Sequence, residues 1–350
     1  MKLEVSFAVI PILVLLSGST GLLKAGSGAA MKEFNKTTTY QWTTGKPVLS
    51  PRPEKGRKVV SAKDPSAVYY RGRWHVFYTT CDEKGSWSMQ FVSFKDWRNA
   101  RSAKAYPKDD NPNLRGYHCA PQVFYFTPRK KWYMIFQSGQ PQYSVNDDID
   151  DPAGWSRPKD FFSGAPPGVF NGEWLDFWVI CDKTNAFLFF TGDNGRFYRS
   201  STRIGNFPDG MGDPRVVFSD PDKGKVFEGS CTYKIKGQDK YLTIIEAFGP
   251  YQGGRYYRSF IADSLDGEWT EQAGTWENPF AGLRNVSFDR GIRPWTKDIS
   301  HGELIRDGYD ETMTIDPDHL EMLFQGRDPA SDGMPYQLLP YRIGILKGLR

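Results

Sequence analysis

Three acidic residues occupy one position of a repeated pattern. Asp64 precedes Ser66-Ala67-Val68-Tyr69-Tyr70, Asp176 precedes Trp178-Val179-Ile180, and Glu228 precedes Ser230-Cys231-Thr232-Tyr233. Two further copies place Ala120 and His301 there. A pair of facing carboxyls can cleave a glycosidic bond: the protonated one supplies the leaving oxygen with a proton, and the ionised one activates water. A gap of roughly 6.5–9.5 Å leaves room for that water and inverts the anomeric centre, whereas about 5–5.5 Å gives retention. A third carboxylate near the acid raises its pKa by like-charge repulsion. Two Asp and one Glu thus read as base, tuner and acid. The competing reading has each acid capping a turn or pairing with a nearby base, as Lys63 and Pro65 beside Asp64 suggest. Three acids in one register weigh against it. His301, one of four histidines, is either an ordinary strand residue or the holder of a cation in the same funnel.

These side chains meet only if the repeats close into a ring. The first copy runs from Asp64 to Tyr70, turns at Arg71-Gly72-Arg73 and returns over 74–78. The second pairs 120–126 with 132–136, and the third pairs 178–180 with 187–190. The fourth pairs 231–235 with 241–245 across Gly237-Gln238. The fifth is less regular; its expected hairpin joins Met313-Thr314-Ile315 to Met322-Leu323-Phe324. The repeats are slightly longer than the roughly 40–50 residues of a four-stranded blade, with an insertion around 270–296 in the last gap. The pattern predicts an all-β, five-bladed β-propeller, because a β-sandwich would not repeat the aromatic hairpin five times. Residues 31–60 read as an irregular strap. Residues 341–346 read as a strand that pairs with the first blade and closes the ring.

Composition narrows the function classes. Aromatic residues make up 15% of the 350-residue chain, which suits strands and sugar platforms. A net charge of +4 without an Arg/Lys cluster gives no footing for nucleic acid. Lys2, the apolar run 5–16 and the small residues at 25–30 read as a signal peptide over 1–30, leaving 31–350 as one propeller domain. The expectation is a secreted, extracellular monomer with no membrane segment in its mature form, since the apolar run is too short to span a bilayer. The four cysteines, Cys81, Cys119, Cys181 and Cys231, form no C-x-x-C pair, and both disulfides and buried free thiols stay open. Asn35-Lys36-Thr37 and Asn285-Val286-Ser287 match the glycosylation sequon. The acidic run 147–151 lacks the glycine and closing Glu of a calcium loop and reads as solvated. Walker, dinucleotide, H-E-x-x-H and G-x-S-x-G motifs are missing.

From about Trp42 to Leu346 the chain resembles glycoside hydrolase family 62, the α-L-arabinofuranosidases that trim arabinoxylan. The resemblance rests on Lys63-Asp64-Pro65-Ser66, Ala120-Pro121-Gln122-Val123-Phe124-Tyr125-Phe126, Asp176-Phe177-Trp178-Val179-Ile180-Cys181-Asp182, Asn206-Phe207-Pro208, Phe227-Glu228, Asn278-Pro279-Phe280-Ala281-Gly282 and Trp295-Thr296-Lys297-Asp298-Ile299-Ser300-His301-Gly302-Glu303. It implies a five-bladed propeller, an inverting mechanism, and arabinoxylan and arabinoxylo-oligosaccharides as substrates. It implies Asp64 as general base, Glu228 as general acid, and Asp176 as the carboxylate that tunes Glu228 and orients the sugar. Lys63 would contact the arabinose and Tyr336 the xylan chain. His301 would bind a calcium ion in the central channel, with water filling most of its shell. The chain departs from the family at Tyr336-Gln337-Leu338-Leu339-Pro340, Tyr117-His118-Cys119 and Gly229-Ser230-Cys231, which leaves the polymer preference open. The alternatives are a related propeller glycosidase acting on arabinan or xylo-oligosaccharides, and a non-catalytic sugar-binding propeller. The unequal residues at the five repeated positions argue against the latter.

Overall fold

Runs of aromatic and β-branched residues separated by Gly-containing turns form five small sheets arranged as the blades of a β-propeller. The computed structural model describes residues 38–169, 174–250 and 254–349. The expected signal peptide and the sequon at Asn35 lie outside them. Among the described residues the regular elements are strands and short 3-10 helices, and no helix is long and apolar enough to cross a membrane.

Blade 1 consists of Val59–Tyr70, Arg73–Asp82, Trp87–Phe94 and Ala105–Pro107, from the axis outward. Blade 2 consists of Cys119–Phe126, Lys131–Gln137, Pro141–Asn146 and Lys159–Asp160. Blade 3 consists of Leu175–Cys181, Asn185–Thr191, Arg196–Arg203 and Arg215–Ser219. The second strands are covered on both faces by neighbouring blades, so they read as continuous apolar runs rather than alternating ones. Ala186, Phe187, Leu188, Phe189 and Phe190 of blade 3 are all buried. Each of these Phe and Leu side chains contributes roughly 1.5–3 kcal/mol of burial.

Blades 4 and 5 differ from expectation. Thr314–Ile315 does not form a hairpin with 322–324 but adds a parallel inner strand to Cys231–Ile235 of blade 4. Glu321–Gly326 instead pairs with Ser300–Leu304. The last strand, Arg342–Gly348, does not join blade 1. It stays in blade 5, where Trp42–Thr44 from the expected strap pairs with it and Val286–Phe288 pairs with Trp42–Thr44 in turn. The two ends of the described chain therefore close the ring within one blade. The sequon asparagine Asn285 is buried, and its amide donates to the carbonyls of Tyr40, Pro279 and Phe280, so it is not presented for modification. All four cysteines are free and buried, which decides between the two readings of the sequence.

The innermost strands carry the feature that aims the site. Their pairing slips between Lys63 and Ser66, Cys119 and Gln122, Leu175 and Trp178, and Ser300 and Gly302. Such a bulge turns a side chain off the ladder. Asp64, Ala120 and Asp176 lie in the left-handed region within it, at φ of 46°, 51° and 57°. A non-glycine residue there costs on the order of 1–3 kcal/mol, which the surrounding contacts must offset. In blade 4 the left-handed residue is Gly229, at φ of 60°. Glu228 thus stands one residue ahead of the backbone register that the repeat alignment assigned to it.

Each of these positions is latched to the preceding blade. The N–H of Asp64 donates to Gln325 of blade 5 at 2.9 Å, that of Ala120 to Thr79 of blade 1 at 2.8 Å, and that of Asp176 to Gln137 of blade 2 at 3.3 Å. The N–H of Gly229 donates to Asp176 Oδ2 of blade 3 at 2.7 Å, and that of His301 to Glu246 Oε2 of blade 4 at 2.7 Å. Five side chains therefore close a ring of hydrogen bonds around the axis.

Trp42→Ala tests the closure. Trp42 is buried, packs its ring on Phe280 and donates from Nε1 to the Phe280 carbonyl at 2.6 Å. The substitution is expected to remove about 3–5 kcal/mol of stability, read as a lower denaturation midpoint in guanidinium chloride.

Candidate active site

The six residues singled out from the sequence, Lys63, Asp64, Asp176, Glu228, His301 and Tyr336, line one open cavity of about 400 Å³. Asp64 and Asp176 converge on one imidazole: His301 Nδ1 is 3.3 Å from Asp64 Oδ1 and 3.5 Å from Asp176 Oδ2. Asp176 faces two ways, since the same Oδ2 accepts from the Gly229 N–H. It therefore holds the backbone next to Glu228 while its charge acts on the Glu228 carboxyl.

Burial pushes Glu228 well above the usual carboxylate range; the Arg255 guanidinium opposes this, and Asp176, Glu246 and Asp193 reinforce it. Burial likewise raises Asp176, with His301 opposing and Asp64 adding to the rise. Burial and like-charge repulsion both oppose full ionisation of this group, and Glu228 feels the two together.

Lys63 and Tyr336 form the rim. Lys63 Nζ donates to the Tyr336 hydroxyl at 2.7 Å and lies 5.0 Å from the centre of the Trp87 ring. This places an ammonium and two rings on one wall, with Tyr336 substantially exposed at 46%. A sugar ring has apolar C–H faces and polar edges, and both find partners there. Tyr117, at one of the departures from the family pattern, is another exposed ring of the cavity, and its hydroxyl accepts from Gln137 Nε2 at 2.9 Å.

Several contributors were not read from the sequence. Arg255 lies 3.3 Å from Glu228 Oε2, also pairs with the fully buried Glu246, and packs against the Phe227 and Phe248 rings. Glu246 in turn accepts from Ser300 Oγ and the His301 N–H. Gln325 and Gln137 hold the bulges of Asp64 and Asp176. None of these lies in the innermost-strand motifs that drew attention. The available signal was their recurrence: Thr79 and Gln137 hold matching places in the second strands, each opposite the residue before a bulge.

Calcium takes six to eight oxygen ligands. Among the described residues no group of three or more His, Cys, Asp or Glu side chains is arranged to hold a metal ion. His301 Nδ1 faces the two aspartates, which leaves Nε2 as the ring nitrogen open to a metal. The residues present fit a largely hydrated ion on one imidazole and do not build a protein cage.

Comparison with known proteins gives one consistent match. The glycosyl hydrolase family 62 model matches residues 41–347. Alpha-L-arabinofuranosidase C of Cellvibrio japonicus is 41% identical over 309 residues, covering 88% of this chain and 47% of that protein. The chain thus spans about half the length of the curated relative it matches. The catalytic domain of a Coprinopsis cinerea GH62 alpha-L-arabinofuranosidase superposes with a TM-score of 0.85 at 42% identity, covering 89% of this chain and 98% of that one. A GH62 hydrolase in complex with xylotriose superposes with a TM-score of 0.84 at 38% identity, covering 90% and 99%.

Gln325→Leu tests the latch beside Asp64. It leaves the Asp64 N–H buried and unpaired, a cost of about 1–3 kcal/mol. The expected outcome is a folded protein whose kcat falls about 10- to 100-fold, because a small misplacement of a carboxylate in the cavity is costly in rate. Steady-state kinetics alongside circular dichroism reads both.

Proposed function

The chain belongs to glycosyl hydrolase family 62, and we propose that it is a secreted, inverting α-L-arabinofuranosidase that removes terminal arabinofuranosyl side chains from arabinoxylan and its oligosaccharides. The observation that carries this reading is a half-buried Glu228, held above the usual carboxylate range, in the same cavity as an Asp64 fixed by Gln325 and His301. Asp64 takes a proton from water as the water oxygen attacks the anomeric carbon. The bond from that carbon to the bridging oxygen breaks, and Glu228 protonates the departing xylose oxygen. The cycle ends with Asp64 protonated and Glu228 ionised, and exchange with solvent resets both. Asp176 orients the sugar and disfavours early ionisation of Glu228. The name of the Cellvibrio relative and the xylotriose in a relative's complex support the choice of substrate.

Export rests on the apolar run 5–16 and the small residues that follow it. A monomer acting outside the cell is part of the same proposal. So is a calcium ion in the channel, with His301 as its protein ligand and water as most of its shell. The ion would supply a fixed positive charge near the two aspartates, and no step of the hydrolysis passes through it.

Asp64→Ala and Glu228→Gln are each expected to lower kcat/KM on arabinoxylan by about 10²–10⁴-fold without unfolding the protein. Near-normal arabinose release by either variant overturns the roles assigned. The wild-type rate should fall as pH rises through the raised pKa of Glu228, because the acid form is the active one. Proton NMR of the first product formed reports the anomer, and retention of configuration would refute inversion. Release from arabinan but not arabinoxylan would move the substrate to the arabinan class.

Treatment with EDTA is expected to lower the thermal midpoint, and calcium, rather than magnesium, to restore it. His301→Ala should abolish that response. A midpoint indifferent to EDTA and calcium removes the ion from the proposal.

A further inference from the structure

Asp193 is an acid that the catalytic scheme above does not use. It sits in the turn between Asn185–Thr191 and Arg196–Arg203 of blade 3, in the left-handed region at φ of 51°. The turn is pinned from behind. A Cβ on Gly195 would meet the Asp220 carbonyl oxygen at 2.5 Å, and the Asp220 N–H donates to the Gly195 carbonyl. The turn thus holds the Asp193 backbone in a fixed place.

The side chain does not do what turn aspartates do elsewhere in the molecule. Asp182 Oδ1, in the preceding hairpin of the same blade, accepts from the N–H groups of Thr184 and Asn185 at 2.7 Å. Asp193 Oδ1 is buried and receives no hydrogen bond from an N–H or hydroxyl among the described residues. What the Asp193 carboxyl does meet, within hydrogen-bonding reach, is Glu228. Two carboxyls can bond only if one carries a proton. The groups acting on Asp193 besides Glu228 are Asp176 of blade 3 and Arg255 and Glu246 of blade 4. Burial, reinforced by Asp176, pushes Asp193 up to about 6.

We propose that Asp193 is the positioning residue of the general acid, and that Glu228 and Asp193 share one proton in the resting enzyme. The inference rests on the reading of Glu228 as the acid. In the bond-breaking step the shared proton passes to the departing oxygen, and two adjacent carboxylates remain. Their repulsion draws a proton from solvent back to Glu228, so each turnover consumes and regains one proton. The alkaline limb of the rate then belongs to the pair.

The test compares wild type, Asp193→Asn and Asp193→Ser in their kcat/KM against pH. Two substrates are used: an arabinoxylo-oligosaccharide, and 4-nitrophenyl α-L-arabinofuranoside, whose leaving group needs little protonation. Loss of the like charge lowers the Glu228 pKa, so the alkaline limb should move down by about one pH unit or more in both variants. The loss of rate should be larger on the oligosaccharide than on the aryl glycoside. An alkaline limb that stays at the wild-type position in a folded variant overturns the inference, since a merely structural aspartate would change rate or stability but not that limb. Glu228→Gln separates this failure from that of the underlying reading. If it is relieved on the aryl glycoside while the Asp193 variants leave the limb in place, Glu228 remains the acid and only the shared proton falls. If Glu228→Gln loses the same factor on both substrates, Glu228 is not the acid, and both proposals fall.

Discussion

Five hydrogen bonds from backbone N–H groups to side chains, one at each junction between blades, hold the geometry on which the site depends. Each is worth only about 0.5–1.5 kcal/mol in stability. Their importance lies in position. Each ends on the residue that turns toward the axis, so the coordinates of Asp64, Asp176 and His301 are set by the blade before them. Glu228 is placed indirectly, through Asp176 bound to the next N–H along the chain. In blade 3 the second strand offers Thr191 opposite Leu175, as blade 2 offers Gln137 opposite Cys119, yet Thr191 Oγ1 has no hydrogen-bond partner among the described residues. The latch from blade 3 comes from Asp176 instead. One carboxylate is both a structural tie and part of the electrostatic field at Glu228.

That double use shapes the charge balance. Glu228, Asp176, Asp193, Glu246 and Asp64 crowd a small volume, against which stand Arg255, Lys63 and His301. Arg255 bridges Glu228 and Glu246, so it steadies the Glu228 carboxyl and limits how far repulsion raises it. The buried Glu246 is neutralised by Arg255 on one oxygen, while its other oxygen accepts from Ser300 and His301. The ionised partners of the site are therefore not free charges. They belong to one network that reaches from the acid in blade 4 to the imidazole in blade 5.

Much of this arrangement was legible in the sequence. The aromatic hairpins are local signals, and their repetition carried the blade count. The six site residues named from the motifs do line one cavity. Long-range pairing was less visible. Thr314–Ile315 is two residues long and has no pattern of its own, so its sheet is set by what packs beside it. The closing strand Arg342–Gly348 showed its strand character but not its partner, because Trp42–Thr44 is too short to announce itself. Glu228 aligned with the other acids by spacing, yet only backbone angles reveal that Gly229 holds the bent position. Arg255, Glu246 and Asp193 come from second and third strands and a turn, where no motif marks them.

The joint in blade 5 has a mechanical meaning. Trp42 pairs with Gly348 and Thr44 with Leu346, so the two strands meet with their outer ends side by side. Tension applied at Trp42 and Gly348 would load the rungs of this ladder singly, in the manner of a zip, and not all together as in shear. Under such tension the outer strand Trp42–Thr44 would peel from Arg342–Gly348, while Val59–Tyr70 of blade 1 stays packed on Ser300–Leu304 and Glu321–Gly326 of blade 5.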